Sequence, residues 1–542
     1  MKKWGALITL SLAMFIIVID TTIMNVSITA LVEDLHTTVT GVQSAISIYA
    51  LVMAASILIA AKLSDIFGEK RIFVIGLVIY GVGTTTASFS NSLGVLIIGW
   101  SILEGIGGAL MIPNIQVLLR NTYEGEDLAF SYGMIGAVGA VGAAVGPIVG
   151  GFFTTYFSWR WAFRTELLIV VIVLLLSRYL KKDAQKENRP KFDFAGAGLS
   201  IFGWSSIVLG ILLVQQYGFF LAKEPFMIGS LAIAPFGLSI SIVMIGIGFL
   251  LIGLLFRWEH RQEEKGADGL FKPSIFKTEG IKAGFAVRFI QVGITAAFLY
   301  IFPLLLQLSF EFTAMQTGVA LMPFSISLLI LAIVGARLSK RFTAKRLIQA
   351  GFILAIAGLG AIAASIKPNV TPQDLALGAL YGAGLGLIAS QILNLVLSSV
   401  PPSETAETAG ITSTFEQLGN SIGVALVGTV MLGVLSVSMQ NGILASSEIP
   451  DTTKSVLVAG VEESVQLMSN SQLEAALTDA GVGQEGVDLL KGLYASSRTD
   501  AFKAGVAVLI YAGLLGLFFT LGLPNRKLVG DDDTAVTPQP SG

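Results

Sequence analysis

Four carboxylates lie inside long apolar stretches of the sequence: Asp20, Glu104, Glu166 and Glu416. An ionisable side chain in such a stretch is costly in a lipid bilayer and is a functional candidate by default. Burial favours the neutral form of a carboxyl group, so the group can take up and release a proton during a functional cycle. A buried carboxylate also attracts a cationic ligand, which makes proton and cation competitors for one site. The alternative is a structural carboxylate that is hydrogen-bonded to its neighbours.

Two of these carboxylates are predicted at similar depth. Asp20 lies about 15 residues into its stretch, which at about 1.5 Å per residue is past halfway across a bilayer. Glu104 lies about eleven residues into a stretch that enters from the opposite side, so we expect both to face a cavity between helices. Polar amides could line the same cavity, although hydrogen bonding between helices is an equal alternative for them. The predicted coupling and substrate residues are Asp20, Asn25, Glu104, Glu166, Glu416 and Gln307.

The composition is that of a polytopic helical membrane protein. Of the 542 residues, 54% are hydrophobic and only 13% are charged, a balance typical of chains that cross a bilayer repeatedly. There is no cysteine, and the two histidines, His36 and His260, cannot form a His-rich metal site. No nucleophile–base set and no phosphate-binding loop occurs, so we expect neither an enzyme nor a cofactor. A net charge of −2 gives no indication of nucleic-acid binding.

Hydropathy predicts fourteen membrane-spanning helices, which places both termini on one side. The first span is kept as a helix rather than a signal peptide, because its apolar part is long and no convincing cleavage site follows. With both termini in the cytoplasm, only eight of the 34 Lys and Arg residues are external. This bias satisfies the positive-inside rule and predicts a multi-pass protein of the cytoplasmic membrane. The predicted spans are roughly residues 5–32, 41–62, 72–91, 93–119, 130–154, 160–180, 194–216, 227–256, 284–309, 313–336, 347–366, 374–398, 410–437 and 502–523.

An internal repeat predicts the architecture. The run AKLSDIFGEKRI, residues 61–72, matches ARLSKRFTAKRL, residues 336–347, at six of twelve positions. Further on, an offset of 277 superimposes Gly105 on Gly382. The two copies run in the same direction and are separated by an even number of spans. This arrangement indicates parallel repeats, which are typical of transporters with a site between two bundles. The predicted domains are an amino-terminal six-helix bundle (1–180), an inserted two-helix hairpin with basic linkers (181–283), a carboxy-terminal six-helix bundle (284–524) that includes an external segment of amphipathic helices (438–501), and a disordered tail (525–542).

The fifth predicted span contains a band of glycines, Gly133–Gly151, which indicates close helix packing because small residues let two backbones approach. Its counterpart in the second copy is residues 410–428. We interpret the band as the contact seam between the bundles, which holds the outer half shut while the inner half is open. Static packing is the alternative. The residues predicted to act there are Gly146, Pro147, Gly150 and Gly151.

A short charged loop between the second and third spans is a second candidate switch. Gly68 permits a tight turn, and Asp65 is expected to pair with basic groups or a helix N-terminus when the inner side is closed. Lys70 and Arg71 either contribute to this switch or only fix the topology. Arg160, at the start of the sixth span, either neutralises a nearby carboxylate or helps to close the external side.

These motifs resemble the major facilitator superfamily and, more closely, its fourteen-span drug:proton antiporters. The run 61–70, AKLSDIFGEK, is similar to the family's Gly-x-x-x-Asp-Arg-x-Gly-Arg-Lys loop. The run 20–26, DTTIMNV, is similar to the acidic signature of the first span. The run 146–151, GPIVGG, matches the motif of exporters, and the run 159–163, WRWAF, matches the start of the sixth span. The resemblance implies two six-helix bundles and export driven by inward proton movement.

The departures from the family pattern each make a position more negative. Ser101 stands where the family usually has an arginine, and Glu104 replaces the glutamine of a Gln-Gly pair. Glu166 stands where asparagine is common, and Glu416 where arginine is common. We infer that the added negative charge favours cationic substrates.

The sequence therefore predicts a monomeric secondary active exporter of amphipathic, cationic small molecules. Its other contacts are protons and membrane lipids, with no nucleic acid. The first alternative is an exporter or flippase of a lipid or lipophilic metabolite with the same fold. The second is a non-transporting receptor that uses the external segment 438–501.

Overall fold

The computed structural model describes residues 3–183, 191–228, 231–365, 376–401, 404–464, 466–480 and 482–525. In the first part of the chain the helices are α1 Gly5–Val26, α2 Ile28–Asp34, α3 Val39–Phe67, α4 Glu69–Ser88, α5 Leu93–Leu96, α6 Gly105–Thr122, α7 Gly125–Tyr156, α8 Arg160–Leu176, α9 Phe194–Tyr217 and α10 Ile240–Glu264. In the second part they are α11 Ile281–Leu304, α12 Ala314–Ala320, α13 Met322–Leu338, α14 Ala344–Ser365, α15 Gly378–Leu397, α16 Thr405–Ala445, α17 Asp451–Ser464, α18 Asn470–Asp479 and α19 Gln484–Phe519. Two π-helical turns, Ile97–Glu104 and Leu305–Ser309, and two short antiparallel strands, β1 Phe226–Ile228 and β2 Leu231–Ile233, are also present. Four short 3₁₀ helices complete the regular structure of these ranges: Ser177–Tyr179, Pro235–Gly237, Pro273–Lys277 and Thr520–Gly522.

Within the described ranges, thirteen helices are long and apolar enough to cross a membrane. The remaining predicted span corresponds to α8, which has 17 residues. The predicted class, a helical multi-pass membrane protein, is therefore confirmed.

The last two spans are longer than the sequence predicts. Helix α16 continues to Ala445, whereas the predicted span ends at residue 437. Helix α19 begins at Gln484, whereas the predicted span begins at residue 502. Helices α17 and α18 lie between them, in the segment predicted to be helical. Residues 465 and 481 of that segment and residues 526–542 of the predicted tail lie outside the described residues.

Equivalent glycine contacts occur in both halves of the chain. A Cβ on Gly76 would meet the Gly107 carbonyl at 2.9 Å, so α4 and α6 are in backbone contact. In the second half, a Cβ on Gly351 would meet the Gly384 carbonyl at 2.7 Å, between α14 and α15. These pairs are related by offsets of 275 and 277, those of the sequence repeat. The repeat thus specifies the same close helix packing twice.

The inserted hairpin is formed by α9 and α10. The two helices approach closely through small residues, since a Cβ on Gly203 would meet Ile252 at 2.8 Å and one on Gly210 would meet the Ser241 carbonyl at 2.9 Å. Helix α9 packs on α3 and on α16, one helix from each half of the chain. The hairpin therefore covers one side of the junction between the two halves.

Both described chain ends lie at the same end of the helices, here called the basic end. There the Lys3 ammonium donates to Asp127 at 3.1 Å, and the Thr343 hydroxyl donates to Asn525 at 2.7 Å. Helices α17 and α18 lie at the other end, here called the opposite end.

Candidate functional site

Three of the four predicted carboxylates meet in one cluster. Asp20 of α1, Glu104 of the first π-helical turn and Glu166 of α8 each place a carboxylate oxygen within 4.8 Å of the other two. Their exposed fractions are 1%, 0% and 2%. In the part of the chain that the structure describes, no Lys, Arg or His forms an ion pair with them. This carboxyl cluster is therefore buried without a basic partner.

Trp100 positions the Asp20 side chain. Its Nε1 donates to the two carboxylate oxygens of Asp20 at 3.0 and 2.9 Å, and its ring stacks on Tyr49 of α3 with 5.3 Å between centroids. Trp100 and Glu104 are four residues apart in a π-helical turn, close to one turn of that wider helix, so both project from one face. Gly83 of α4 leaves room for this turn, because a Cβ there would lie 2.7 Å from Glu104 Cγ.

The fourth predicted carboxylate lies elsewhere. Glu416 of α16 accepts a hydrogen bond from Arg288 Nε of α11 at 2.7 Å, and Arg288 Nη1 donates to Gln291 at 2.7 Å. Glu416 thus has a positive partner, unlike the members of the carboxyl cluster. Its role in coupling stays a prediction.

The two predicted amides differ in environment. Asn25 donates to the Thr21 carbonyl of its own helix at 2.7 Å. Gln307 donates to the Val26 carbonyl at 2.8 Å and accepts from the Thr29 hydroxyl at 2.6 Å. Of the two alternatives for Gln307, the structure shows hydrogen bonding between helices, in a closed contact between the halves. The reason is that α1 ends at Val26, whose carbonyl has no partner within the helix and takes one from the other half.

Toward the opposite end the two halves are in tight contact. Gln43 at the start of α3 donates to the carbonyls of Val424 and Ala425 of α16 at 3.2 and 3.3 Å. Deeper along the same helices, the Ser421 hydroxyl donates to the Ser47 carbonyl at 2.7 Å. Side chains of one half thus bond to backbone carbonyls of the other.

Two repeat-related glycine contacts form part of this closed region. A Cβ on Gly151 of α7 would lie 2.5 Å from a carbonyl of α12, and one on Gly318 of α12 would overlap the Pro147 carbonyl. A Cβ on Gly428 of α16 would overlap the Gln43 side chain. Gly151 and Gly428 differ by 277, and Gln43 and Gly318 differ by 275. The same seam therefore occurs twice, once at each side of the junction.

Most of the glycine band packs inside the first half instead. Added Cβ atoms on Gly142 and Gly150 would meet α1 at 3.3 and 2.9 Å, and one on Gly146 would overlap the Thr22 hydroxyl of the same helix. The prediction of a seam between bundles is wrong for these three glycines. Glycines four residues apart share one helix face, which here faces α1, whereas Gly151 lies about 100° around the helix.

Toward the basic end the halves enclose a cavity of about 1060 Å³. Helices α3, α6 and α16 line it, together with Gly266–Lys272, the segment that follows α10. We call this segment the strap. Asp268 of the strap pairs with Lys62 of α3 at 3.8 Å, and the backbone nitrogen of Lys272 donates to Glu407 of α16. The strap therefore touches both halves at the cavity.

The carboxyl cluster does not line this cavity. Asp20 and Glu104 were expected to face a space between the bundles, and in this conformation they do not. Trp100 and Tyr49, both fully buried, lie beside Asp20 and enclose it within the first half.

A family model described as Major Facilitator Superfamily matches residues 10–243 and 225–424. The chain belongs to the major facilitator superfamily. Among its relatives are the puromycin resistance protein pur8 of Streptomyces alboniger, 26% identical over 80% of this chain and 82% of that protein, and the probable actinorhodin transporter of Streptomyces coelicolor, 28% identical over 80% and 73%. The multidrug efflux pump LfrA of Mycolicibacterium smegmatis is 23% identical over 79% and 81%.

Solved structures agree on the fold. A bacterial homologue of the human lysosomal transporter Spinster, in an inward-facing conformation, superimposes with a TM-score of 0.59 at 15% identity over 96% of this chain and 98% of that one. The chain is thus a superfamily transporter of small molecules with relatives named as resistance and efflux proteins, and it is not an enzyme.

The charged loop of the superfamily has a partner that the sequence did not indicate. Gly68 has a φ of +103°, which favours glycine. The Asp183 carboxylate accepts hydrogen bonds from the backbone nitrogens of Lys70 and Arg71 at 2.7 and 3.2 Å. Asp183 therefore caps the α4 N-terminus, and Asp65 is among the residues that line the cavity. The pairing expected for Asp65 when the inner side is closed stays a prediction. Capping by a carboxylate satisfies free amide groups and complements the helix dipole.

Arg160 does not neutralise the carboxyl cluster. It pairs with Asp34 at the end of α2, donates to the Ser90 carbonyl at 3.2 and 2.6 Å, and stacks on Trp159 at 4.4 Å. Trp159 Nε1 also donates to Asp34 at 2.9 Å. These contacts tie α2, the end of α4 and α8 together at the opposite end.

Arg160→Ala should lower the stability of the solubilised protein. The change removes the cation that pairs with Asp34 and donates to the Ser90 carbonyl. Hydrogen bonds to charged groups contribute about 1.5–3 kcal/mol. Thermal unfolding in detergent would measure the loss. Arg164→Ala is the matched control, since the Arg164 guanidinium stacks on Trp161 and Phe89. Equal melting temperatures for the two variants would contradict the structural role.

Proposed function

We propose that the chain is a proton-coupled exporter of amphipathic, cationic small molecules in the cytoplasmic membrane. The carboxyl cluster carries this proposal, because Asp20, Glu104 and Glu166 lie within 4.8 Å of one another without a basic partner. Three charges of one sign are too costly to persist together in a medium of low dielectric. A site that must gain and lose positive charge can couple proton movement to substrate movement.

The basic-end cavity supports a cationic substrate. Its volume of about 1060 Å³ is at the upper end of the range for small-molecule sites. Acidic side chains outnumber basic ones in its described lining. The acidic residues are Asp65, Glu69, Glu263, Asp268 and Glu407, and the basic residues are Lys62, Arg120 and Lys272.

The distribution of basic residues supports a cytoplasmic basic end with both termini inside. On this assignment the closed opposite end faces outward and the cavity faces the cytoplasm. Relatives named as resistance and efflux proteins support export rather than uptake. A monomer suffices, because the two repeat bundles, 1–180 and 284–524, form both walls of the pathway.

In the proposed cycle, substrate enters from the cytoplasm and the halves then close around it. Protons that reach Asp20 from outside release the substrate, and their loss to the cytoplasm prepares the site for the next one. Closing the cytoplasmic side requires the strap and its contacts with Lys62 and Glu407 to rearrange. The inserted hairpin, through the strap, thus takes part in the inner gate.

An accumulation screen in cells that lack other exporters tests this function. We expect expression of the chain to lower the accumulation of cationic amphipathic dyes and to raise resistance to them, with little effect on neutral or lipid-like compounds. Collapse of the proton gradient should abolish the difference, because the gradient drives export. Cells that express Asp20→Asn are the control. Movement of lipid-like compounds alone, independent of the gradient, would support a flippase instead.

A further inference from the structure

The carboxyl cluster offers more oxygen atoms than hydrogen bonds use. Both carboxylate oxygens of Glu104 and one of Glu166, Oε2, have no hydrogen-bond partner, although all three are buried. Buried polar atoms are almost always paired, so each exception requires a physical explanation. A ligand with positive charge that contacts several oxygens at once would satisfy them together.

Three hydroxyl groups beside the cluster are also unpartnered. The Tyr49 hydroxyl approaches Asp20, and those of Tyr80 and Thr84 approach Glu104, in each case outside the distance and angle of a hydrogen bond. All three side chains are at most 1% exposed, and none of these hydroxyl oxygens forms a hydrogen bond. They come from α3 and α4, whereas the carboxylates come from α1, the π-helical turn and α8. Neutral oxygen atoms from two further helices therefore lie beside the acidic ones.

The carboxylate oxygens are close enough together to contact one ion. Oxygens on opposite sides of Ca²⁺, which binds at about 2.3–2.6 Å, are up to ~5 Å apart. The three carboxylate oxygens lie within 4.8 Å of one another, so all three can contact one such ion. Mg²⁺ loses its waters reluctantly and usually keeps several of them, whereas the side chains of this cluster are at most 2% exposed.

We propose that the carboxyl cluster is a site for a dehydrated hard metal cation of the size of Na⁺ or Ca²⁺, held by Asp20, Glu104 and Glu166 with the hydroxyls of Tyr49, Tyr80 and Thr84. The inference rests on the proposed function to the extent that the metal competes with protons for the same carboxylates. A transported cation that binds in competition with a second one is a coupling ion. The protein would then be able to use a metal-ion gradient as well as a proton gradient to drive transport.

Direct binding of the metal alone to the purified full-length protein tests the site. Radioactive Na⁺ and Ca²⁺ are measured separately at mildly alkaline pH, with K⁺ and Mg²⁺ as competitors. We expect either Na⁺ or Ca²⁺ to bind saturably, at one ion per chain. K⁺ and Mg²⁺ should displace the bound ion only weakly. Glu104→Gln and Asp20→Asn should lower the affinity at least about tenfold.

The matched control is Glu259→Gln. Glu259 is a fully buried carboxylate at the basic end, where it accepts from the Leu270 backbone nitrogen at 3.0 Å. This variant should bind the metal like the parent protein. Loss of binding in Glu259→Gln to the same extent, or equal displacement by Mg²⁺, would contradict a size-selective site in the cluster.

The failure of this inference differs from a failure of the proposed function. Absence of Na⁺ and Ca²⁺ binding in the parent protein, together with substrate-driven proton movement, would overturn the metal site and leave proton coupling intact. Metal binding that depends on Glu104, without any substrate-driven proton movement, would support the metal site and overturn proton coupling. The parent protein decides whether the metal binds and whether protons move. Thermal unfolding of Glu104→Gln and Asp20→Asn shows whether a loss of binding comes from the site or from a loss of folding.

Discussion

Asp20→Asn protein in liposomes should lose substrate-driven proton movement, with an initial rate at least about tenfold below that of the parent protein. Asparagine keeps the size of the side chain and can still accept from Trp100, but it cannot bind or release a proton. Glu104→Gln should have the same effect, because both groups belong to one buried cluster. A pH-sensitive dye inside the liposomes measures the movement after a cationic substrate is added.

The cluster also predicts how the substitutions combine. Groups that share one site have strongly non-additive effects. The double variant Asp20→Asn, Glu104→Gln should therefore be little worse than either single variant, and Glu166→Gln should belong to the same set. Glu259→Gln, the buried carboxylate beside the strap, should retain proton movement in the same liposomes. Normal coupled transport in both Asp20→Asn and Glu104→Gln would overturn the proposed mechanism.

The depth of a site residue along its own span could be predicted from the sequence, whereas contacts between spans could not. Asp20 and Glu104 could be placed at similar depth because position along a span is a count of residues at a fixed rise. Glu166 was predicted as a candidate but not as a member of the same cluster. Its position depends on how α8 packs beside α1, which no count along one span provides.

The partners of the site residues were the least predictable. Trp100 could have been noticed four residues before Glu104 on an apolar helix, but its contact with Asp20 depends on the rotation of α1. Arg288 of α11 pairs with Glu416 of α16, and the two residues are 128 positions apart in the sequence. Such pairs depend on helix rotation and crossing, which hydropathy does not specify.

The repeat predicted packing better than it predicted function. It placed equivalent glycines at equivalent positions, and the contacts at Gly76 and Gly351 agree with this. It could not show which glycines face a helix of the same half and which face the other half. Within the band, Gly146 and Gly151 differ in this respect although both are tightly packed.

Gly151→Leu should stop transport without unfolding the protein. The added side chain would overlap the backbone of α12, which cannot yield as a flexible side chain can, so the opposite end would be unable to close. Because this contact joins the two halves, each half keeps its own packing. Shifting a two-state equilibrium from one conformation to the other requires about 5.5 kcal/mol, a cost that overlap with backbone atoms can reach.

The absence of cysteine makes this shift measurable. Ser413 lines the basic-end cavity, so a Ser413→Cys background should react readily with a water-soluble maleimide. Adding Gly151→Leu should slow the reaction at least about tenfold, since a transporter held open at the opposite end is closed at the basic end. Thermal unfolding should show that the variant remains folded.

A matched control lies on the same helix. A Cβ on Gly136 would meet no atom within 4 Å, so Gly136→Leu should leave both transport and labelling close to those of the parent protein. Gly146→Leu should behave differently from both, because its side chain would displace Thr22 within the first half and lower the melting temperature. If Gly151→Leu transports normally and leaves Ser413→Cys as reactive as before, the contact between α7 and α12 is ordinary packing and does not control access to the cavity.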